Sequence, residues 1–190
     1  MRITSGIFGS RILETPKTGD IRPTQDMVRQ ALFSMLGEGI AGARFLDLFA
    51  GSGAVGLEAL SRGAAYAAFV EADPRHVAVI ERNIAALRVA EAVPGGAAAF
   101  RIYRRDAYKW IESCNGESFD IVFADPPYAL GAERGYPGVL EALASRGIVK
   151  PGGMFIAETA ASQPVCGHPL WETVKDRTYG KTRLALYRRK

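Results

Sequence analysis

The spacing of apolar residues changes regularly along most of the chain. Short apolar runs alternate with longer segments in which apolar residues recur every three or four positions, as they do on one face of a helix. The runs predict strands at 44–49, 66–71, 97–103, 119–124 and 154–158, and the segments between them predict helices at 54–62, 74–89, 106–113 and 133–146. Strands that alternate with helices are typical of a parallel sheet covered by helices on both faces.

The two ends of the chain depart from this alternation. Glycines interrupt the apolar stretches of the first fifteen residues, and this pattern predicts a small hairpin or an ordered arm. A helix is predicted to begin near Thr24 and to end at Gly37. The last two predicted strands, 171–176 and 183–189, have no helix between them, so an antiparallel strand should close the sheet. We expect residues 1–40 to form an N-terminal arm and helix within the same domain as residues 41–190, because 190 residues suffice for one domain only.

Composition and charge limit the class of protein. No apolar run approaches the length of about 20 residues that a membrane helix needs, and the N-terminus lacks the apolar segment of a signal peptide, so we expect a cytoplasmic protein that does not enter a membrane. Cys114 and Cys166 have no metal-site neighbourhood and are expected to be free thiols. The net charge is +4, and seven basic residues stand between 175 and 190 against one acidic residue. Clustered positive charge suits a polyanion such as RNA, and a solvated basic tail is the alternative.

A glycine-rich turn follows the first predicted strand of the alternating region. Gly51, Gly53 and Gly56 satisfy the pattern G-x-G-x-x-G between a strand and a helix, and Glu71 follows 20 residues after Gly51 at the end of the next strand. An acidic side chain at that spacing can bind the ribose hydroxyls of a nucleotide-like cofactor. A tight turn that binds nothing is the alternative interpretation.

The residues around this turn distinguish between possible cofactors. Asp47 lies four residues before Gly51, where its carboxylate would repel the diphosphate of NAD but could face the α-ammonium group of S-adenosylmethionine. This favours S-adenosylmethionine. Asp106, after the third predicted strand, could accept a hydrogen bond from the adenine amino group, with the Ala107 amide on a ring nitrogen; capping of the following helix is the alternative role for Asp106.

The sequence Asp125-Pro126-Pro127-Tyr128 directly follows the fourth predicted strand. The prolines remove two amide donors, so the carbonyl groups of this turn can face a ligand. A carboxylate and a carbonyl that accept both hydrogens of an exocyclic amino group localise the nitrogen lone pair for attack on a methyl group, and Tyr128 can stack on the base. A rigid turn that only ends a strand is the alternative, but the position after the fourth strand of this chain predicts methylation of a base amino group.

Taken together, these motifs resemble those of a class I, Rossmann-like methyltransferase. The chain is similar over nearly its full length to the RsmD family of bacterial 16S rRNA guanine-N2 methyltransferases, through residues 6–11, 22–29, 46–56, 125–128 and 179–182. The resemblance implies an α/β fold with a seven-stranded, mostly parallel sheet in the order 3-2-1-4-5-7-6, with strand 7 antiparallel, helices on both faces and a small N-terminal extension.

The resemblance also implies roles for individual residues. The cofactor would be held by Asp47, Phe49, Gly51, Gly53, Glu71, Ala72, Asp106 and Ala107, and the target guanine by Asp125, Pro126 and Tyr128; Arg22, Thr24, Arg29 and Lys181 would lie on the substrate side. Loop anchoring and helix capping are the alternative roles of Arg22 and Thr24. The implied partner is 16S rRNA within a small ribosomal subunit or its assembly intermediate, and the implied enzyme is a monomer without a metal.

Other functions share part of this pattern. The DPPY turn also occurs in enzymes that methylate adenine N6 in RNA or DNA, and related chemistry methylates protein glutamine amides. An NAD-dependent oxidoreductase would share the glycine turn, and an RNA-binding module could retain an unused cofactor pocket. Asp47 together with the DPPY turn disfavours the oxidoreductase, and the RNA-binding module is disfavoured because every expected cofactor position is filled. The choice between guanine and adenine depends on the family resemblance alone.

Overall fold

The computed structural model describes residues 1–16, 24–126 and 136–190, except for the side chains of Thr24 and Gln25. Its seven strands are β1 Arg44–Leu48, β2 Tyr66–Glu71, β3 Phe100–Arg104, β4 Phe119–Ala124, β5 Val149–Ala160, β6 Trp171–Tyr179 and β7 Thr182–Arg189. They form one sheet in the order β3-β2-β1-β4-β5-β7-β6, and β7 runs antiparallel to both of its neighbours. The predicted strand order and the antiparallel seventh strand are therefore confirmed.

Helices cover both faces of this sheet, as predicted. They are α1 Thr24–Leu36, α2 Ala54–Ser61, α3 Pro74–Leu87, α4 Val89–Ala92, α5 Ala107–Ser113 and α6 Tyr136–Ser145. Helices α5 and α6 bury Trp110 and Leu140 against one face, whereas α1, α2 and α3 bury Leu32, Leu57 and Ile80 against the other. Among the described residues, no helix has the length and apolar character needed to cross a membrane.

Several boundaries differ from the sequence-based expectation, among them the end of β6 at Tyr179, three residues after its predicted end at 176. The predicted strand at 97–103 is wrong at its start, because residues Gly96–Ala99 form a 3-10 turn and the strand begins at Phe100. Alanine favours strands only weakly, and Gly95 and Gly96 both have positive φ, which directs the chain into the turn. The predicted helix 74–89 ends at Leu87, because Arg88 is left-handed. Strand β5 begins five residues before its predicted start at 154, since Val149 already pairs with Phe119. The predicted loop 17–23 and the start of the predicted helix 133–146 lie outside the described residues.

The first thirteen residues form an arm that folds back on itself and packs on α2 and α3. Arg2 and Ile12 form an antiparallel bridge, and the side chains of Ile3, Phe8 and Leu13 are buried with those of the two helices. Gly6, with a φ of +83°, lies so close to α2 that an added Cβ would stand 1.8 Å from the Ser61 carbonyl oxygen. Only glycine therefore allows this approach of the arm.

A single buried carboxylate connects the arm to two helices. Glu58 of α2 is fully buried, and its oxygens accept hydrogen bonds from the Thr4 amide (2.8 Å), the Thr4 hydroxyl (2.7 Å) and the Ser5 amide (3.0 Å). Two cations neutralise it: Arg62 Nε donates to Glu58 Oε1 at 2.8 Å, and Arg29 Nε of α1 lies 3.4 Å from Oε2. Buried charge is stable only when it is paired and hydrogen-bonded in this way.

We expect Glu58→Gln to lower the free energy of unfolding by about 3 kcal/mol, because it leaves two arginine side chains without their buried carboxylate. Urea denaturation followed by circular dichroism measures the change. Glu81→Gln, the same replacement at an exposed position of α3, is the matched control and should change the free energy by less than about 0.5 kcal/mol. Equal stability of the two variants would show that Glu58 is not the anchor of the arm.

Candidate active site

A cleft of about 220 Å³ opens at the carboxyl ends of β1, β4 and β5. The glycine turn after β1 forms its floor, and helix α1 forms one side with Arg29 and Leu32. Thr15 and Pro16, which follow the arm, form a further part of the wall together with Met1. Open α/β sheets bind their ligands at this edge, where the strand order reverses.

Strand register places three carboxylate residues on the same sheet face in this cleft. Asp47 of β1 stands beside Phe123 of β4, and Ala124 of β4 stands beside Ala157 of β5. Asp125 and Glu158 directly follow those two alanines, so they are neighbours at the ends of adjacent strands, about 4.8 Å apart in the hydrogen-bonding direction. All three residues line the cleft.

The carboxyl group of Asp47 is almost completely buried. Burial raises the pKa of Asp47 from 3.8 to about 8; a hydrogen bond from the Gly56 amide opposes the shift, while the negative charges of Asp125 and Glu71 add to it. The Gly56 nitrogen lies 2.9 Å from Asp47 Oδ2. Because a cationic group beside Asp47 would stabilise its charged form, this carboxyl group is suited to a positively charged ligand.

The turn between β1 and α2 has an unusual backbone conformation. Phe49 has a φ of +66°, and Gly51 and Gly53 have φ values of +56° and +77°. A bulky residue with positive φ costs free energy, and such strain is concentrated at ligand sites. The Phe49 ring meets Tyr108 edge-on, with 5.6 Å between the ring centroids. At Gly51 an added Cβ would meet nothing within 4 Å, so glycine leaves open space there.

Two predicted cofactor carboxylates already have backbone partners. Glu71 accepts hydrogen bonds from the Gly51 and Asp73 amides, both at 2.8 Å, and it thereby fixes the glycine turn to the end of β2. Asp106 accepts a hydrogen bond from the Lys109 amide at 3.0 Å and caps α5, which was the alternative role considered for it. Each carboxylate oxygen accepts two hydrogen bonds, so a ligand hydroxyl or amino group can still be bound. Ala72 is exposed beside Glu71, and Ala107 is buried.

The other predicted site residues differ in their position relative to the cleft. Pro126 is buried, and together with Phe49 and Tyr136 it lines a small apolar pocket beside the cleft. Arg29 lines the cleft but is only 4% exposed, and its Nη2 donates to the Arg2 carbonyl and to Asp26. Lys181 is exposed in the β6–β7 turn, at the same sheet edge but beyond β5 and β7. Arg22, Tyr128 and the side chain of Thr24 lie outside the described residues.

The basic residues of the C-terminal segment do not form one surface. Strands β6 and β7 are antiparallel. Lys181 therefore stands at the edge of the sheet at which the cleft opens, whereas Arg188 and Arg189 stand beside the first residues of β6, at the opposite edge of the sheet. Several of these cations have partners within the protein. Arg183 Nε lies 3.3 Å from Asp176 Oδ1, and Lys190 donates to the Pro169 carbonyl at 3.0 Å. Clustering in sequence therefore overstated the positive charge available to a polyanion.

The sequence-based prediction did not include two residues of the site, Glu158 and Tyr136. Glu158 occupies the last position of the predicted fifth strand, and the rule that ligands bind at strand ends could have identified it. The Tyr136 hydroxyl donates a hydrogen bond to the Glu158 carbonyl at 2.8 Å, and no sequence pattern predicts this contact.

A family model, two relatives and a solved structure are each similar to this chain over all or nearly all of its length. The family model described as "Conserved hypothetical protein 95" matches residues 1–188. Ribosomal RNA small subunit methyltransferase D of Escherichia coli strain K12 is 32% identical over 190 residues, which cover 100% of this chain and 90% of the relative. A Bacillus subtilis protein, YlbH, named as a candidate rRNA methyltransferase, is 31% identical over 100% of both chains. A solved Escherichia coli structure, named as a candidate methyltransferase, yhhF, has a TM-score of 0.82 and 32% identity, and the match covers 100% of this chain and 98% of that one.

The raised pKa of Asp47 predicts how stability depends on pH. The folded protein keeps a proton that the unfolded chain releases above its ordinary pKa of 3.8, so the free energy of unfolding should fall as pH rises until the folded pKa of about 8 is passed. Asp47→Asn removes this titration, and its amide oxygen can still accept from Gly56. We therefore expect the melting temperature of Asp47→Asn, relative to the unaltered protein, to rise steadily from pH 5 to pH 8.

Asp73→Asn is the matched control, because the hydrogen bonds from Arg75 lower the pKa of Asp73 below its ordinary value. Its titration is complete below pH 5, so its melting temperature relative to the unaltered protein should be constant over the same range. A constant difference for Asp47→Asn as well would contradict the raised pKa.

Proposed function

The chain belongs to the family described as "Conserved hypothetical protein 95", the RsmD family that its sequence resembles, and from this premise we propose that it transfers a methyl group from S-adenosylmethionine to the exocyclic N2 amino group of a guanine in small-subunit ribosomal RNA. The observation that carries the proposal is the set of three carboxylate residues at the ends of β1, β4 and β5, which line one cleft beside an open glycine turn. The name of the Escherichia coli relative, a ribosomal RNA small subunit methyltransferase, supports this class of acceptor.

The described residues fit S-adenosylmethionine. Its methyl group is carried by a sulfonium and is therefore a strong electrophile. The buried carboxyl group of Asp47 suits the cationic α-ammonium end of the cofactor, and the open space at Gly51 leaves room for a ligand against the turn backbone. Gly53 and Phe49 complete this cradle, which Glu71 holds in place through the Gly51 amide.

The nucleoside part of the cofactor would lie toward β2 and β3. Glu71 and Ala72 end β2, where a carboxylate oxygen can accept from ribose hydroxyls. Asp106 retains one oxygen without a hydrogen-bond partner among the described residues, and that oxygen can accept from the adenine amino group. The Ala107 amide lies at the same strand end.

Asp125 and the Pro126 carbonyl would hold the two hydrogens of the target amino group. Acceptors on both hydrogens draw the nitrogen lone pair out of conjugation with the base and direct it toward the methyl carbon. The nitrogen becomes acidic as the new bond forms, so Asp125 can take up or pass on its proton without being a strong base. Tyr128 would stack on the base, a contact worth roughly 1–3 kcal/mol on other base platforms.

The acceptor is proposed to be 16S rRNA within a small ribosomal subunit or its assembly intermediate, and the enzyme a cytoplasmic monomer. Arg22, Thr24, Arg29 and Lys181 are the proposed substrate-side residues. Of the described members of this group, Lys181 is exposed at the same edge of the sheet as the cleft, whereas Arg29 is buried and contacts the Arg2 carbonyl, Asp26 and Glu58. Lys181 is therefore the better candidate for a phosphate contact.

Labelled S-adenosylmethionine and small ribosomal subunits from cells that lack the endogenous enzyme test the proposal directly. After incubation with the protein, we expect nucleoside analysis to detect labelled N2-methylguanosine in the rRNA. Labelled N6-methyladenosine would retain the amino-methylation mechanism and overturn the guanine acceptor. Label in DNA or protein, with none in rRNA, would overturn the acceptor class.

We expect Asp125→Ala to lower the rate of methyl transfer at least about 100-fold, because both the acceptor for the amino hydrogen and its charge are lost. The affinity for S-adenosylhomocysteine, measured by calorimetry, should stay within a few-fold, and this ligand but not NAD should raise the melting temperature. Asp120→Ala, at the opposite end of the same strand, is the control and should retain the rate. Loss of cofactor binding in folded Asp125→Ala would contradict the assignment of Asp125 to the acceptor side.

A further inference from the structure

We propose that Glu158 is the residue that selects guanine over adenine, by accepting a hydrogen bond from guanine N1–H while the adjacent Asp125 holds the N2 amino group. This inference rests on the proposed function, since it concerns the base that enters the same cleft. Glu158 lies outside every motif on which the sequence-based prediction depended.

The sheet fixes Glu158 beside Asp125. Ala124 and Ala157 are register partners in the parallel pair β4–β5, and the two acidic residues follow them on the face that carries α1. On its other side, Glu158 pairs with Leu184 of β7. Glu158 therefore lies within a strand that is paired with β7 at this position and with β4 at the preceding residue, and its position does not depend on a loop.

Tyr136 gives independent support for this placement. Its hydroxyl donates to the Glu158 carbonyl, so it fixes the backbone at the end of β5. Burial, and after it the negative charges of nearby groups that include Asp125 and Glu158, raises the pKa of Tyr136 above its ordinary value. Asp125 and Glu158 both line the cleft.

The edges of the two purines differ beside the amino group that is methylated. Guanine presents N1–H next to the N2 amino group, so two donors stand side by side on this part of its edge, and the O6 acceptor lies beyond them. Adenine presents the bare acceptor N1 next to its N6 amino group. Two adjacent carboxylates complement the guanine edge, whereas the lone pair of adenine N1 would face the Glu158 carboxylate without a donor between them. A carboxylate has about four acceptor sites, so Glu158 can keep a contact within the protein and still bind the base.

The expected discrimination follows from the strength of such a contact. Loss of one hydrogen bond to a charged group typically changes binding by roughly 10- to 100-fold. Glu158→Gln should therefore weaken the preference for a base with N1–H by that factor, because a glutamine side chain can either accept or donate.

The experiment uses 2-aminopurine, which keeps the C2 amino group of guanine but has an unprotonated N1. Once the methylated position is mapped, small-subunit rRNA is assembled from two pieces with guanine or 2-aminopurine at that position, and kcat/KM is measured for both. For the unaltered protein we expect guanine to be preferred at least about 10-fold. For Glu158→Gln we expect this ratio to fall at least about 10-fold. Glu158→Asp, which keeps the carboxylate, should restore part of the preference, and Glu81→Gln should leave it unchanged.

Each outcome decides the proposal. A guanine preference that is the same in Glu158→Gln and in the unaltered protein would overturn it, and a purely structural role of Glu158 would lower the melting temperature without changing the ratio. If Glu158→Gln does not fold, the unaltered protein still tests the idea, because equal use of both bases excludes recognition of N1–H. Failure of the unaltered protein to form any N2-methylguanosine is a different result: it would overturn the proposed function, and this inference with it.

Discussion

The buried carboxylate of Glu58 is the interaction on which the shape of the cleft depends. It joins the arm, through Thr4 and Ser5, to α2, which carries it, and to α1, which carries Arg29. The arm continues into Thr15 and Pro16, and those residues form a wall of the cleft that Arg29 also lines. If the Glu58 carboxylate did not bind both the arm and α1, the sheet edge would retain its carboxylates. It would lose the wall of the cleft that faces them.

Two buried carboxylates in the same domain serve opposite purposes because their partners differ. Glu58 lies between Arg29 and Arg62 and accepts hydrogen bonds from three groups of the arm, so its charge is fully compensated by the protein. Among the described residues, the Asp47 carboxyl group accepts a hydrogen bond from one backbone amide, that of Gly56, and the nearby charges that act on it are negative. The compensated charge of Glu58 is therefore compatible with burial, whereas burial of Asp47 lowers stability near neutral pH and leaves a position that a cationic ligand can stabilise. Functional sites commonly hold such locally unfavourable arrangements.

The sequence predicted most of the fold because the strand and helix periods are distinct along the chain, and it predicted the residues at strand ends because the motifs there are local. Asp47, Glu71 and Asp125 each directly precede or follow a recognisable turn. Glu58 escaped prediction because it stands in an apolar helix segment and its partners in the arm lie 53 and 54 residues away in sequence. Glu158 escaped because only the β4–β5 register brings it beside Asp125. The positive φ of Phe49 could not be foreseen either, since a bulky side chain gives no reason to expect it.

The position of the cleft follows from the order in which the strands are connected. After β1 the chain builds β2 and β3 on one side, and it then crosses to β4 and β5 on the other side, so the crossing point lies between β1 and β4. The turn after β1 leads into α2, and the cleft beside it is lined by Asp47 of β1 and by Asp125, which directly follows β4. In the proposed reaction, a cofactor beside the turn after β1 and a base bound by Asp125 would therefore meet in this cleft. The register of β1 and β4 brings Asp47 and Asp125, which are far apart in the sequence, within two residues of a common level in the sheet. This proximity would permit direct transfer between two ligands bound at different strands.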